Sequence, residues 1–186
     1  MKIDLTEKTL NVERVFEGRA LTIDVARIEL PNGRRSTREI VRHRGAAVVL
    51  GQRPDGKWIL IYQHRYAVGD TLLEFVAGCI EPNETPEDGA RREMEEESGY
   101  QVLELEKFGE ILTSPGYSEE HMHLFYAAVS QNPREQNPDF DENLVVTIMS
   151  GEEICAAIDN AELIDAKSVA AWLLWQRKVA QRSAVL

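Results

Sequence analysis

Three glutamates stand at the spacing that places side chains on one side of a helix. Glu93, Glu96 and Glu97 occupy positions i, i+3 and i+4, so their carboxylates project together from a helix with about 3.6 residues per turn. Three like charges on one face destabilise a helix unless a cation lies among them. Carboxylate oxygens are the ligands that hard divalent ions prefer. The spacing therefore favours a divalent metal site, with a merely solvated acidic face as the alternative.

A helix that would carry these glutamates is signalled at both ends. Thr85 is a typical N-cap residue, and Pro86 follows where the helix needs no N–H donor. Gly99 is typical of the left-handed residue that ends a helix. Ala90 and Met94 form a stripe beside the acids that can face a sheet. The sequence therefore predicts a helix between Thr85 and Gly99 with one acidic side and one buried side.

The residues around this helix follow a pattern of fixed spacing. From Gly78 the chain has five residues, Glu84, seven residues, Arg92-Glu93-Met94, one residue, Glu96-Glu97, one residue and Gly99-Tyr100. This pattern resembles the signature of the Nudix hydrolase family at every specified position, with Met94 and Tyr100 where Leu or Ile is more typical. The resemblance implies that water attacks a phosphorus atom of a nucleoside diphosphate linked to another group, with Mg²⁺ as cofactor and Mn²⁺ as its substitute.

The resemblance and elementary chemistry together divide the roles among these residues. Two or three metal ions would be held by the carbonyl of Ala77 and the carboxylates of Glu93, Glu96 and Glu97, and Glu96 and Glu97 would also be catalytic. Glu84 and Arg92 are expected to form an ion pair that clamps the preceding loop to the helix. Gly78 and Gly99 are expected to adopt backbone angles that a side chain would forbid.

Four further segments resemble the ADP-ribose and nucleoside diphosphate sugar pyrophosphatase branch of this family. They are Gln63-His64-Arg65, Leu73-Glu74-Phe75-Val76-Ala77-Gly78, Thr113-Ser114-Pro115-Gly116 and Asp141-Glu142-Asn143. The resemblance implies a substrate site that includes Arg65, Glu74, Ser114, Gly116 and Glu120, with Glu120 near the terminal ribose. A solvated arginine at a strand end and an ordinary turn at residues 114–116 are the alternatives.

Glu142 is the candidate for the acid that orients or deprotonates the attacking water, because its loop could close over bound substrate. The alternative is a solvent-facing loop residue, and Leu144 stands where some relatives have a second glutamate. The predicted reaction splits ADP-ribose, or a related nucleoside diphosphate sugar, into a nucleoside monophosphate and a sugar phosphate. The alternatives are hydrolysis of a GDP-sugar or a dinucleoside polyphosphate, and a Nudix-fold module that senses nucleotide sugars without cutting them.

The order of predicted elements indicates an α/β fold, a layered α/β/α sandwich with a mixed sheet that follows a small N-terminal antiparallel β segment. Strands are predicted at 21–30, 38–42, 46–50, 58–63, 101–113, 121–129 and 144–149, and the first two pairs are expected to be hairpins. Two C-terminal helices follow Ser150 and Asp165. Residues 1–43 are assigned to the β segment and 44–186 to the catalytic domain. The resemblance implies that the β segment helps form the substrate pocket and a homodimer.

The composition limits the class of partner. The 186 residues are 43% apolar, enough for one folded domain, and the formal net charge is −11. This charge opposes binding to nucleic acid and to anionic membranes, which both require clustered cations. The chain has no apolar run long enough to cross a bilayer and begins with charged residues, so a cytoplasmic protein is expected. Cys79 and Cys155 are expected to be reduced.

Overall fold

The structure is a computed structural model that describes residues 3–137 and 143–184. This part of the chain forms ten strands and three helices. The strands are β1 Lys8–Glu17, β2 Thr22–Glu29, β3 Arg35–Arg42, β4 Ala46–Gln52, β5 Trp58–Arg65, β6 Asp70–Glu74, β7 Val76–Cys79, β8 Val102–Leu112, β9 His121–Val129 and β10 Leu144–Met149. The helices are α1 Pro86–Ser98, α2 Gly151–Asp159 and α3 Ala166–Ser183.

The internal contacts divide the chain into two compact units. Unit 1 comprises Met1–Gly45 and Leu112–His121, and unit 2 comprises Ala46–Ile111 and Met122–Leu186. Unit 1 contains an antiparallel sheet in the order β1-β2-β3, in which β2 and β3 form the predicted hairpin. The strand β1 was not predicted, and neither was the association of residues 112–121 with the N-terminal strands.

Unit 2 is built on a seven-stranded mixed sheet. Five strands have the order β10-β5-β4-β9-β8, with β6 paired to β5 and β7 paired to β4. β4 runs parallel to β9 and antiparallel to β5 and β7. The predicted hairpin of residues 46–50 and 58–63 is confirmed in its antiparallel pairing and in its turn, where the Arg53 amide donates to the Lys57 carbonyl at 2.8 Å. Its ladder is short, because β4 meets β5 only at its last two residues. Two further strands, β6 and β7, were not predicted. β7 pairs with residues 46–49 of β4, and β6 pairs with residues 61–65 of β5.

Alternating side chains of the central strands pack against helices on both faces of the sheet. Val48 and Leu50 of β4 belong to a core cluster with residues of α2 and α3, including Trp172. Val49 belongs to a second cluster with Met94 of α1. Buried apolar residues on both faces require covering layers on both sides. The predicted α/β/α sandwich is therefore confirmed.

The helix ends have the predicted caps. The Thr85 hydroxyl accepts a hydrogen bond from the Asp88 amide at 3.2 Å, and Gly99 has a left-handed φ of 75°. Ser150 forms a capping box that begins α2, and Asp165 caps α3. None of the helices in residues 3–137 and 143–184 is long and apolar enough to span a membrane.

Candidate functional site

The acidic face of α1 lies partly below the protein surface. The side chain of Glu96 is 35% exposed, whereas that of Glu93 is 11% exposed. Glu97 is only 1% exposed, and both of its carboxylate oxygens are buried. Burying a carboxylate costs free energy unless positive charge lies nearby. This helix face is therefore suited to cations rather than to contact with bulk water alone.

Arg92 holds the acidic face together. Its Nε and Nη2 donate to the two oxygens of Glu84 at 2.8 and 2.9 Å, and Nη1 donates to Glu93 at 2.8 Å and to Glu96 at 3.1 Å. Nη2 also donates to the carbonyl of Cys79 at 3.0 Å. The hydrogen bonds to Glu84 raise the pKa of Arg92 and lower the pKa of Glu84. Arg92 therefore acts as a clamp between the loop, the helix and β7.

Gly78 supplies space for the carboxylate of Glu93. A Cβ atom at residue 78 would lie closer than 3.0 Å to the carboxylate carbon and both oxygens of Glu93. The φ of Gly78 is not positive, whereas that of Gly99 is. The prediction that Gly78 is needed for unusual backbone angles is therefore wrong. Glycine is needed here because an acidic side chain rests against the strand backbone, next to Ala77.

The donor groups fit a hard divalent ion in type. Three carboxylates on one helix face and the backbone of the adjacent strand offer the oxygen ligands that Mg²⁺ and Mn²⁺ take. In the described ranges 3–137 and 143–184, however, no three His, Cys, Asp or Glu side chains are grouped closely enough to hold a metal ion. The side chains of Glu93 and Glu96 are instead held by Arg92. The acidic face therefore has the ligand types that a divalent ion needs, and Arg92 supplies positive charge to it.

A second charged group is centred on Glu74. Arg65 donates from Nε and Nη2 to the two oxygens of Glu74 at 2.8 and 2.6 Å. Lys167 donates to Glu74 and, at 2.9 Å, to Asp165. Burial alone would raise the pKa of Glu74, but the hydrogen bonds from Arg65 and the charge of Lys167 lower it below its usual value. Glu74 is 1% exposed, and its two hydrogen bonds hold the guanidinium of Arg65 in place. A direct contact between Glu74 and substrate stays a prediction.

Arg65 connects this group with the acidic helix. Its side chain is 37% exposed. Hydrogen bonds to Glu74 raise the pKa of Arg65, and the negative charges of Asp165 and Glu97 raise it further. Glu97 of the acidic face is thus close enough to act on Arg65 electrostatically. Unit 2 therefore brings together a buried carboxylate face and a partly exposed guanidinium, which is the combination that binding of a metal-complexed diphosphate requires.

Lys167 and Asp165 were not predicted as members of this group. The sequence identified Asp165 only as a helix cap, and Lys167 had no pattern that linked it to Glu74 across 93 positions. The sequence contains only a weak signal for this role: Lys167 lies at the beginning of the helix that the apolar periodicity of residues 169–176 predicts. A buried lysine is rare unless it is paired, but burial became visible only in the structure.

Three predicted substrate residues lie in unit 1. Ser114 and Gly116 belong to a turn in which the carbonyl of Ser114 accepts hydrogen bonds from Tyr117 at 3.1 Å and Ser118 at 2.9 Å. The carboxylate of Glu120 accepts a hydrogen bond from Thr113 at 2.7 Å. The same loop pairs with β3, because the Val41 amide donates to the Tyr117 carbonyl at 2.7 Å.

Glu119 adds an ionic contact between this loop and β3. Arg42 donates to Glu119 at 2.9 Å, and the His43 amide donates to the same carboxylate at 3.1 Å. Arg42 is held in turn by the buried Asp24 at 2.8 Å. The loop is therefore ordered by the N-terminal hairpin. The roles of Ser114, Gly116 and Glu120 in substrate binding stay predictions.

The chain beyond β9 is fastened to the end of α1. The amides of Arg134 and Asn137 donate to the carbonyls of Gly99 at 2.7 Å and Glu96 at 2.9 Å, and the Gln136 side chain donates to the Glu97 carbonyl. These bonds satisfy carbonyls that a helix end leaves without partners. The predicted base, Glu142, lies outside the described residues, so its role stays a prediction.

Comparison with known proteins gives relatives over almost the whole chain. Residues 41–172 match the NUDIX domain. An ADP-ribose pyrophosphatase of Bacillus subtilis (strain 168) is 39% identical over 95% of this chain and 96% of its own length. A GDP-mannose pyrophosphatase of Cronobacter sakazakii is 32% identical over 91% of this chain and 92% of its own length.

The fold also has a solved counterpart. The crystal structure of an ADP compounds hydrolase superposes with a TM-score of 0.83, covers 97% of this chain and 98% of its own, and is 24% identical in sequence. At this identity the likeness concerns the fold.

Proposed function

The chain belongs to the Nudix family, and on that basis we propose that it hydrolyses the diphosphate bond of ADP-ribose or a related nucleoside diphosphate sugar. The products are a nucleoside monophosphate and a sugar phosphate. The observation that carries the proposal is the acidic face of α1, where Glu93 rests on Gly78 and Glu97 is buried near Arg65. Of the two relatives described above, the more similar is an ADP-ribose pyrophosphatase and the other a GDP-mannose pyrophosphatase, so ADP-ribose is the first candidate and GDP-mannose the alternative.

Enzymes of this family generally use a divalent metal, and we propose Mg²⁺ with Mn²⁺ as its substitute. The residues that would hold it are Ala77, through its carbonyl, and Glu93, Glu96 and Glu97. When bound, such an ion neutralises charge on the diphosphate and makes water a stronger nucleophile near neutral pH. The support is the donor type and the burial of the carboxylates.

The protein's own residues bind and orient the substrate. Arg65 offers Nη1 to the diphosphate, because Nε and Nη2 are engaged by Glu74. Arg92 keeps Glu93 and Glu96 on the same side of α1 while its Nε and Nη2 fix Glu84. A general acid or base would complete the reaction, and Glu142 keeps that role as a prediction.

A substrate panel tests the proposal. The protein is incubated with ADP-ribose or GDP-mannose and Mg²⁺, and products are separated and quantified. We expect AMP and ribose 5-phosphate in equal amounts from ADP-ribose, no product in EDTA, and a higher kcat/KM for ADP-ribose than for GDP-mannose. A higher value for GDP-mannose would assign the alternative substrate. Tight binding of ADP-ribose without hydrolysis in Mg²⁺ or Mn²⁺ would favour the sensing module.

The outer strand of unit 1 supports a homodimer as a further proposal. All ten residues of β1 are exposed, and its exposed apolar side chains include Leu10, Val12, Val15 and Phe16. Among the residues that the structure describes, β1 is also an edge strand that pairs with β2 alone. A second copy would cover these side chains. Light scattering at micromolar concentration should give the mass of two chains, and the mass of one chain would reject the dimer.

The remaining expectations come from the sequence alone. The cytoplasmic location and the absence of nucleic-acid binding rest on composition and charge. The use of residues 1–43 in a substrate pocket rests on the resemblance to the family branch. These three statements stay predictions.

A further inference from the structure

We propose that Lys167 is a positioning residue for substrate binding. Through Glu74 it fixes the guanidinium of Arg65 so that the open edge of that group faces the diphosphate of the substrate. The inference rests on the proposed function, since it concerns the same site. It assigns a role to α3, a helix that the acidic motif does not include.

The first step is the orientation of Arg65 by Glu74. Both oxygens of Glu74 accept hydrogen bonds from Arg65, from Nε at 2.8 Å and Nη2 at 2.6 Å. Two parallel bonds fix the plane of the guanidinium as well as its position. Because Glu74 is 1% exposed, bulk water does not compete for its oxygens. The plane of Arg65 is therefore set by the position of one buried carboxylate.

The second step is the mounting of Glu74 by the first turn of α3. Lys167, which is 9% exposed, donates to the same Glu74 oxygen that Nη2 of Arg65 binds. Ser168 accepts a hydrogen bond from the amide of Phe75 at 2.8 Å. Asp165 accepts from Lys167 at 2.9 Å and from the Ser168 amide at 3.0 Å. The first turn of α3 is thus hydrogen-bonded both to the side chain of Glu74 and to the backbone amide of Phe75.

The third step is the edge of Arg65 that this mounting leaves open. Within residues 3–137 and 143–184, Nη1 of Arg65 has no hydrogen-bond partner, and the side chain is 37% exposed. The charges of Glu97 and Asp165 both act on this guanidinium. Arg65 therefore presents, from a fixed plane, two N–H donors of Nη1 that none of the described residues binds.

The charge balance around Glu74 indicates that Lys167 orients its neighbours and does not add net positive charge to the site. Arg65 and Lys167 together balance Glu74 and Asp165, so the four side chains are neutral as a set. One guanidinium would already balance Glu74, and a buried pair is not by itself a source of stability. The contribution of Lys167 is therefore to hold Glu74, and with it Arg65, in one geometry. A fixed donor loses less entropy on binding a ligand than a mobile one.

A matched pair of lysine variants tests the inference. Lys167→Met removes the ammonium group and keeps the apolar stem. Lys178→Met is the control, because Lys178 lies on the same helix in an ion pair with Glu106 at 2.6 Å. Calorimetry in EDTA should show that the Kd for ADP-ribose rises about tenfold in Lys167→Met and stays unchanged in Lys178→Met. With Mg²⁺, KM should rise while kcat changes less. An unchanged Kd in folded Lys167→Met would overturn the inference.

A double-mutant cycle separates positioning from a general effect on the fold. Arg65→Met alone should weaken ADP-ribose binding, and adding Lys167→Met should then change the Kd by less than about twofold, because the group that Lys167 positions is gone. Equal effects of Lys167→Met with and without Arg65 would overturn the inference. Should Lys167→Met fail to fold, Asp165→Asn keeps a helix-capping oxygen and removes the charge beside Lys167. It should raise the Kd severalfold, and an unchanged Kd would be contrary.

The wild-type protein distinguishes this inference from the proposed function. If wild type neither binds nor hydrolyses ADP-ribose or GDP-mannose, the proposed function is wrong. If wild type is active and Lys167→Met behaves like Lys178→Met, only the role of Lys167 is wrong.

Discussion

Glu97→Gln is expected to lower kcat for ADP-ribose about 10³-fold, or about 4 kcal/mol in activation free energy, while the protein stays folded. Glu97 is the most buried carboxylate of the acidic face, so a bound cation there has little competition from water. The amide keeps the shape of the side chain and removes its charge. Because a buried charge costs free energy, the melting temperature should be unchanged or higher. Steady-state kinetics and thermal unfolding check the two expectations.

Glu95→Gln is the matched control for this experiment. Glu95 lies on the same helix and carries the same carboxylate, but its side chain is exposed and points away from Glu97. We expect its kcat to stay within about twofold of wild type, since surface charges are worth little. A folded Glu97→Gln protein with wild-type kcat would remove Glu97 from the mechanism. Equal losses in both variants would point to a general effect of charge on α1.

Gly78→Ala is expected to reduce kcat at least about 100-fold without unfolding the protein. A Cβ atom at residue 78 would overlap the carboxylate of Glu93. The overlapping atoms belong to the end of a flexible side chain, so Glu93 can swing away at small cost to the fold. The carboxylate then leaves the backbone of β7, and a displacement of about 1 Å at an active site can cost about 100-fold in rate. Kinetics and circular dichroism measure the two effects.

Gly109→Ala provides the corresponding strand control. Gly109 also lies in a strand, and its added Cβ would meet Leu124 at 3.5 Å, an ordinary contact. We expect wild-type kcat for this variant. If Gly78→Ala were as active as Gly109→Ala, the seat of Glu93 on β7 would have no part in catalysis.

The acidic helix could be predicted from the sequence because its determinants are local. Thr85, Gly99 and the apolar stripe lie within fifteen positions of one another, so caps and periodicity specify the helix directly. The same periodicity placed Glu93 and Glu97 on one face. Their burial depends on the sheet beneath α1, which a local pattern does not contain.

The supporting contacts of the site could not be predicted because they join distant positions. Lys167 and Glu74 are separated by 93 positions, and Arg42 and Glu119 by 77. Both pairs form only after strands and helices have packed. The reason for Gly78 was also missed, since a glycine required for space and one required for backbone angles look alike in a sequence.

The short strands β6 and β7, which pair with β5 and β4, were not predicted, whereas the outer strands β8 and β10 were. β4 and β5 are continuous apolar runs that burial on both faces explains. β6 and β7 are short, and their residues also serve the approach to the acidic helix. Segments this short show little alternation of apolar and polar residues. Their strand conformation therefore depends on pairing with β5 and β4, which the local sequence does not reveal.

Anomalous diffraction from a crystal soaked with Mn²⁺ and a non-hydrolysable ADP-ribose analogue tests the central claim most directly. We expect manganese density in contact with the carboxylates of Glu93, Glu96 and Glu97, and the analogue's diphosphate in contact with that density and with Nη1 of Arg65. Manganese density elsewhere, with Glu93 and Glu96 still bonded to Arg92 in the presence of the bound analogue, would contradict the claim.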